Sequence, residues 1–161
     1  MRIISGIYKN KSLKSPNSDN THPMGERERL AIFNILGSIT GKTVLDLFAG
    51  TGALGIEALS RGAKSAVFVE NNPKALTVLK ENLDGISSNA IVKSDAYKYT
   101  TEEKFDIIFV DPPYDEFDIS ILDFKKYLKK TGEMVVSSPK PISEASRKYS
   151  NCYITIIRTN S

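Results

Sequence analysis

Cysteine and histidine are nearly absent from this chain. Cys152 is the single cysteine among 161 residues and His22 the single histidine. A disulfide framework and a cysteine-built zinc site are therefore excluded. Any Ser-His-Asp chemistry would have to hang on His22, which stands beside a proline in a polar segment. Long apolar runs are missing too. None approaches the roughly 20 residues of a membrane span, and the opening Met1-Arg2-Ile3-Ile4-Ser5-Gly6 has no signal-peptide core. A soluble, reduced, cytoplasmic protein is expected, with no membrane partner. Hydrophobic residues make up 40% and charged residues 25%. This is ordinary globular usage, and the length suits one domain over 1–161.

Charge is unevenly placed. Residues 1–14 hold Arg2, Lys9, Lys11 and Lys14 and no acid, whereas the whole chain is only +3. A basic arm on a near-neutral body suits a polyanion such as nucleic acid. A solvated terminal hairpin with solubilising lysines fits the same charges.

Residues 2–13 alternate loosely and predict a short β-hairpin turning near Asn10, followed by a loop over 15–25. Together, 1–24 form a basic N-terminal segment and 25–161 the body. Leu30, Ile32, Phe33 and Leu36 predict a helix over 26–36, stopped by Gly37. Strands are then expected at 43–48, 66–70, 89–93, 105–110, 133–137 and 152–157. Helices are expected from Gly50 to Ser60, from Pro73 to about residue 83, and over about 119–130. Strands alternating with helices predict an α/β domain: a mostly parallel sheet with helices on both faces. Ligands of such sheets bind beyond the carboxyl ends of the strands.

The first such end reads Asp46-Leu47-Phe48-Ala49-Gly50-Thr51-Gly52-Ala53-Leu54-Gly55. Gly50, Gly52 and Gly55 form G-x-G-x-x-G, and Glu70 follows twenty residues after Gly50. The spacing fits a dinucleotide, but a carboxylate at Asp46 opposes two phosphates at a helix N-terminus. It favours S-adenosylmethionine, which carries a sulfonium and an ammonium and no phosphate. Glu70 could then take both ribose hydroxyls. A plain strand–turn–helix corner would need the same small residues. Asp95, after the third strand, could accept from the adenine amine or cap the turn at Ala96.

After the fourth strand stands Asp111-Pro112-Pro113-Tyr114. Two prolines fix the backbone and remove both N–H groups. Asp111 and the Pro112 carbonyl supply two acceptors for one –NH₂ group, and Tyr114 offers a face for a stacked base. An exocyclic amine is a poor nucleophile because its lone pair is conjugated into the ring. Acceptors on its hydrogens favour a pyramidal nitrogen, so catalysis would rest on orientation and preorganised electrostatics. A rigid strand-ending turn is the structural alternative.

These residues resemble the class I methyltransferases that act on exocyclic amines, and most closely the 16S ribosomal RNA guanine-N2 methyltransferases of the RsmD type. The likeness runs from Met1 to about Lys140. It includes Arg2-Ile3-Ile4-Ser5-Gly6, the stretch 28–36, the block 44–63 and the stretch 105–114. The resemblance implies a Rossmann-like, seven-stranded sheet with its last strand antiparallel. It implies S-adenosylmethionine at Asp46, Phe48, Ala49, Gly50, Thr51, Gly52, Glu70, Asn71, Asp95 and Ala96. It implies the guanine amine at Asp111, Pro112, Pro113 and Tyr114. Ribosomal RNA, or an assembling small subunit, would meet Arg2, Lys9, Lys11, Lys14, His22 and Arg27. A monomer and no metal are expected. Three positions depart from the pattern: Asn10 replaces a common glycine, His22-Pro23-Met24 replaces Arg-Pro-Thr, and Tyr149-Ser150 replaces Tyr-Gly.

Other functions share parts of this signature. A DNA adenine-N6 methyltransferase tolerates Asp-Pro-Pro-Tyr but usually carries a recognition region for which 161 residues leave little space. A protein glutamine methyltransferase would favour Asn at position 111. An inactive RNA-binding assembly factor need not keep Asp46, Glu70 and 111–114 together. An NAD-dependent reductase is disfavoured by Asp46.

Overall fold

The computed structural model describes residues 1–16 and 24–159. His22 and Pro23 lie outside them. The element order is α1 (Glu26–Leu36), β1 (Thr43–Leu47), α2 (Ala53–Ser60), β2 (Ser65–Glu70), α3 (Pro73–Asn82), β3 (Asn89–Lys93) and β4 (Phe105–Val110). Two 3-10 segments follow, Tyr114–Glu116 and Ile119–Tyr127, and then β5 (Leu128–Ser138), β6 (Arg147–Tyr149) and β7 (Cys152–Arg158).

Seven strands form one sheet in the order β3-β2-β1-β4-β5-β7-β6. The first five in that row run parallel, and β7 is antiparallel to both β5 and β6. From β1 the chain moves outward to β2 and β3, whereas β4 lies on the other side of β1. The order therefore reverses between β1 and β4, and that crevice is where such sheets bind ligands.

Both faces of the central strands are covered, so their residues are apolar without alternation. Along β4, Ile107 and Phe109 join one core with Phe33 of α1, Ile56 of α2 and Leu79 of α3. Ile108 and Val110 join the other with Ile121, Phe124 and Tyr127. The three α-helices thus cover one face, and the 3-10 segment covers the other. No helix among the described residues is long and apolar enough to cross a membrane.

Two expectations change. The buried stripe of α1 is Arg29, Ile32, Phe33 and Leu36, while Leu30 is exposed. The segment expected as a helix over 119–130 is 3-10 up to Tyr127, and Leu128 already pairs with Phe105. The N-terminal segment folds back with the antiparallel bridge Arg2↔Ser12, and the Ile3, Asn10 and Leu13 N–H groups donate across it to the Lys11, Ile3 and Met1 carbonyls at 3.0, 2.9 and 2.8 Å. Its turn residue Asn10 has φ 70°. Other backbone groups of the segment turn to the body. The Ile4 and Ser5 N–H groups donate to the Glu57 carboxylate at 2.8 and 3.1 Å, and those of Ile7 and Tyr8 donate to the Ser60 carbonyl and Oγ, each at 2.9 Å. Gly6 sits at φ +92°, where a Cβ would lie 1.9 Å from the Ser60 carbonyl oxygen. Ile3 and Leu13 are buried in the helix-side core, which clamps both ends of the segment.

Candidate active site

A cavity of about 740 Å³ opens beyond the carboxyl ends of β1 to β4. Its volume lies within the usual range of small-molecule sites. Every residue expected at the glycine loop, at Glu70-Asn71, at Asp95-Ala96 and at 111–114 borders it, except Gly52.

Three glycines of the loop play two different roles. A Cβ on Gly50, which has φ +56°, would point into space, with its nearest neighbour the Phe48 carbonyl at 4.0 Å. A Cβ on Gly52 would sit 2.6 Å from Leu79, and one on Gly55 2.3 Å from the Phe68 ring. Gly50 therefore faces the cavity, whereas Gly52 and Gly55 let α2 close onto α3 and the sheet. Phe48 adopts φ 55°, a left-handed conformation costing a bulky residue about 1–2 kcal/mol. Its ring is held edge-on against Tyr97 at 5.3 Å and against Phe124 at 6.4 Å.

Asp46 is 1% exposed, and its Oδ2 accepts from the Gly55 N–H at 3.0 Å. Its first task is to cap α2. Burial raises its carboxyl well above the usual range, and the charges of Asp111 and Glu70 push the same way, against the Gly55 hydrogen bond. The Ala53 N–H donates to Thr51 Oγ1 at 3.3 Å. Two N–H groups at the N-terminus of α2 are thus taken by Thr51 of the loop and Asp46 of β1, and the acid there is unsuited to a diphosphate.

Glu70 is more occupied than its spacing suggested. Oε1 accepts from the Gly50 N–H at 2.7 Å, and Oε2 accepts from the Asn71 and Asn72 N–H groups, each at 2.9 Å. Three of the roughly four acceptor positions of a carboxylate are taken. One hydroxyl can be accepted without breaking a bond, and the second of the expected pair would share or displace one of these N–H groups. Asp95 takes the capping role: its Oδ1 accepts from the Tyr97 N–H at 2.9 Å.

At the end of β4, Pro112 is buried and Pro113 exposed. Burial pushes the Asp111 carboxyl up to about 6, against a hydrogen bond from Ser137. The Tyr114 hydroxyl lies 2.7 Å from Ser137 Oγ, and burial with the Asp111 charge pushes the phenol up. Ser137, 1% exposed on β5, therefore joins Tyr114 to Asp111. Cys152 stands against the same group, its thiol pushed up by burial. Ser137 and Cys152 were not expected as site residues. The sheet order puts β5 and β7 there, and no local motif marks them. Arg29 was also missed, although its place at 29 beside 32, 33 and 36 put it in the apolar stripe of α1.

The arm residues are dispersed around the body. Arg2 Nε pairs with Glu26 Oε1 at 3.0 Å and Lys14 Nζ with Glu81 Oε2 at 2.9 Å. Lys11 Nζ donates to the Asp84 carbonyl at 3.5 Å. Lys9 and Arg27 are exposed. Among the described residues no His, Cys, Asp and Glu cluster could hold a metal.

The family model described as "Conserved hypothetical protein 95" matches residues 1–157. A Haemophilus influenzae protein named "Ribosomal RNA small subunit methyltransferase D" is 31% identical, over 87% of this chain and 79% of its own length. A Buchnera aphidicola protein of the same name is 32% identical, over 98% of this chain and 93% of its own. Among solved structures, the Thermus protein TTHA0928 superposes with a TM-score of 0.86 at 30% identity, covering 98% of this chain and 99% of its own. The Escherichia coli protein yhhF, which carries a methyltransferase name, superposes with a TM-score of 0.82 at 27% identity, covering 97% and 96%. A likeness this continuous, with the Gly50 loop and the Asp111–Tyr114 corner both at the crevice, shows that the chain belongs to the Conserved hypothetical protein 95 family, alongside the ribosomal RNA small subunit methyltransferases D.

Proposed function

We propose that this chain transfers a methyl group from S-adenosylmethionine to the exocyclic N2 amine of a guanine in small-subunit ribosomal RNA. The observation that carries the reading is Asp111-Pro-Pro-Tyr114, braced by Ser137, on the wall of an acidic cavity that also holds the Gly50 loop. The cavity fits the cofactor in three respects. Asp46, Glu70 and Asp111 offer negative charge to a sulfonium and an ammonium. Gly50 leaves open the space a side chain would fill. The end of α2, where Asp46 and Thr51 already accept from Gly55 and Ala53, is poorly suited to phosphates. Asp46, Phe48, Gly50, Glu70, Asn71, Asp95 and Ala96 would hold the cofactor, with Tyr97 and Phe48 supplying aromatic surface.

When bound, S-adenosylmethionine supplies an electrophilic methyl carbon. The protein's part is to present a nitrogen. Asp111 and the Pro112 carbonyl accept the two amine hydrogens and hold the lone pair out of conjugation. Tyr114 braces that corner through Ser137. As the N–C bond forms, the nitrogen becomes acidic, and a carboxylate whose proton affinity matches pH 6 is suited to accept the proton. A base within a duplex cannot reach this corner, so the guanine must be unpaired or flipped. An assembling small subunit offers such bases, in the cytoplasm, and one copy of the chain contains every residue invoked.

The test is methyl transfer from labelled S-adenosylmethionine to small ribosomal subunits, naked ribosomal RNA and DNA, followed by nucleoside analysis. N2-methylguanosine in small-subunit RNA is expected. N6-methyladenine in DNA would replace the substrate assignment, and absence of cofactor binding would overturn the reading altogether. Asp111→Ala should abolish transfer while cofactor affinity stays within about tenfold.

A further inference from the structure

The cavity is a poor place to hold a polyanion. Five carboxylates border it, Asp46, Glu70, Asp95, Asp111 and Glu116, against two cations, Lys74 and the fully buried Arg29. A nucleic acid that offers a base to this cavity brings its phosphates against like charge. Its backbone must therefore be held elsewhere.

The opposite end of the sheet carries the complementary charge. Lys64 stands just before β2, Lys42 just before β1 and Lys104 just before β4, and β5 opens Leu128-Lys129-Lys130. The sheet order sets these four strand starts side by side, β2-β1-β4-β5. The Lys64 N–H donates to the Lys42 carbonyl at 2.8 Å, and Lys104 Nζ donates to the Lys126 carbonyl, so Lys125 and Lys126 join the row. With strands about 4.8 Å apart, the four starts span about 15 Å. The acids Asp106 and Glu133 are already paired there, with Lys129 at 3.1 Å and Arg158 at 2.9 Å. Lys42, Lys64, Lys104, Lys125, Lys126 and Lys130 form no ion pair among the described residues. All of them are exposed except the half-buried Lys42. Set against Glu102, Glu103 and Asp123 of the flanking segments, these six lysines leave three positive charges in excess.

The row also adjoins the basic arm. The Ser60 carbonyl that holds the Ile7 N–H lies two residues before Gly62, whose own carbonyl accepts from the Gly41 N–H at 2.9 Å. The turn bearing Lys9 and Lys11 and the Lys42–Lys64 pair are thus neighbours at the end of α2. Of the large hydrophobics exposed among the described residues, none belongs to these strand starts. A lipid surface or a protein partner would want apolar anchors, whereas a phosphate backbone wants cations alone. The six residues of β4 separate this edge from Asp111 by about 20 Å.

We propose that the strand-start edge formed by Lys64, Lys42, Lys104 and Lys130 binds the phosphate backbone of the RNA whose guanine enters the crevice, at a point about 20 Å from that base. This rests on the RNA reading above. It adds that the substrate is a folded RNA large enough to touch both ends of the sheet.

The test compares the unmodified chain with the triple variant Lys42→Gln, Lys64→Gln, Lys130→Gln in titrations with naked small-subunit ribosomal RNA at several salt concentrations. Affinity should fall about 10- to 100-fold at low salt, and the slope of log affinity against log salt should flatten by about 2–3. In transfer assays KM for the RNA should rise while kcat holds. Melting temperature and S-adenosylmethionine affinity should not move. Arginine at the same three positions should keep both the affinity and the slope of the unmodified chain. An unchanged slope in the glutamine variant overturns the edge assignment and leaves the RNA reading standing. So does a loss that is independent of salt or that arginine does not rescue, which would make the lysines structural. If the unmodified chain neither binds nor methylates ribosomal RNA, the RNA reading itself has failed, and the edge assignment with it.

Discussion

Asp111 holds its charge where burial resists it, so its protonation falls within reach of ordinary pH. Its carboxyl is pushed up to about 6 by burial. Only the ionised form accepts both in geometry and in charge, so kcat/KM should rise with pH and level off above about 6. At pH 5 roughly a tenth of the maximum should remain. The folded-state value lies above the unfolded one. Protonation therefore favours the folded state, and this group adds stability as pH falls through about 6. A pH–rate profile alongside thermal melting checks the sign: activity should fall between pH 7 and 5 without a loss of melting temperature traceable to Asp111. Ser137 is the second residue of interest. Its hydrogen bond lowers the Asp111 value and anchors the Tyr114 hydroxyl. Ser137→Ala should move the midpoint upward from about 6 and lower kcat by about 10- to 100-fold. Cofactor affinity should not change, because Ser137 acts only through the Asp-Pro-Pro-Tyr corner. An unmoved midpoint would remove Ser137 from the site.

At the scale of elements, the glycine loop separates packing from binding. Gly55→Ala forces a methyl to 2.3 Å from the Phe68 ring, and overpacking of this kind costs about 1–3 kcal/mol. It should lower the melting temperature markedly. Gly50→Ala meets no neighbour, so its cost in packing is small and only its φ of +56° is strained. It should damage cofactor binding more than stability. Paired melting and ligand-titration measurements on the two variants would show the crossed pattern. That division was invisible in G-x-G-x-x-G, which fixes spacing but not which face each glycine presents. Other elements were legible to different depths. Pro73 opens α3 as expected, with Asn72 Oδ1 accepting from the Lys74 and Ala75 N–H groups. The central strands showed as apolar runs because both their faces are covered. The helix expected over about 119–130 is 3-10 up to Tyr127, and its buried residues Ile121, Phe124 and Tyr127 recur every three positions, the period of a 3-10 helix. Strand β6, Arg147-Lys148-Tyr149, carries no strand pattern of its own. It exists because β7 offers an edge to pair with, and such context is not local.

The whole molecule decides what the basic arm can do. Composition marked residues 1–14 as +4, yet the fold sets Arg2 against Glu26 and Lys14 against Glu81. Exposed pairs of this kind are worth little and can be exchanged for phosphates, but they leave Lys9 and Lys11 as the charges most readily offered to RNA. Ile7, 80% exposed on the same turn, gives that tip an apolar contact as well. Reversing Lys9 and Lys11 to Glu should weaken RNA binding strongly at low salt and little at high salt. The slope of log affinity against log salt should flatten by about 1–2. Binding titrations at several salt concentrations check it, and unchanged affinity throughout would take the arm out of the interface. Cofactor affinity is the internal control. The arm is fastened by its backbone, through N–H groups of Ile4, Ser5, Tyr8 and Lys14 on Glu57, Ser60 and Asn82, and Asn82 Nδ2 also holds the Thr51 carbonyl of the glycine loop at 2.9 Å. None of those bonds uses the Lys9 or Lys11 side chain. The reversed arm should therefore stay docked and the cofactor site intact, so a loss confined to RNA would assign those two charges to the polyanion and not to the fold.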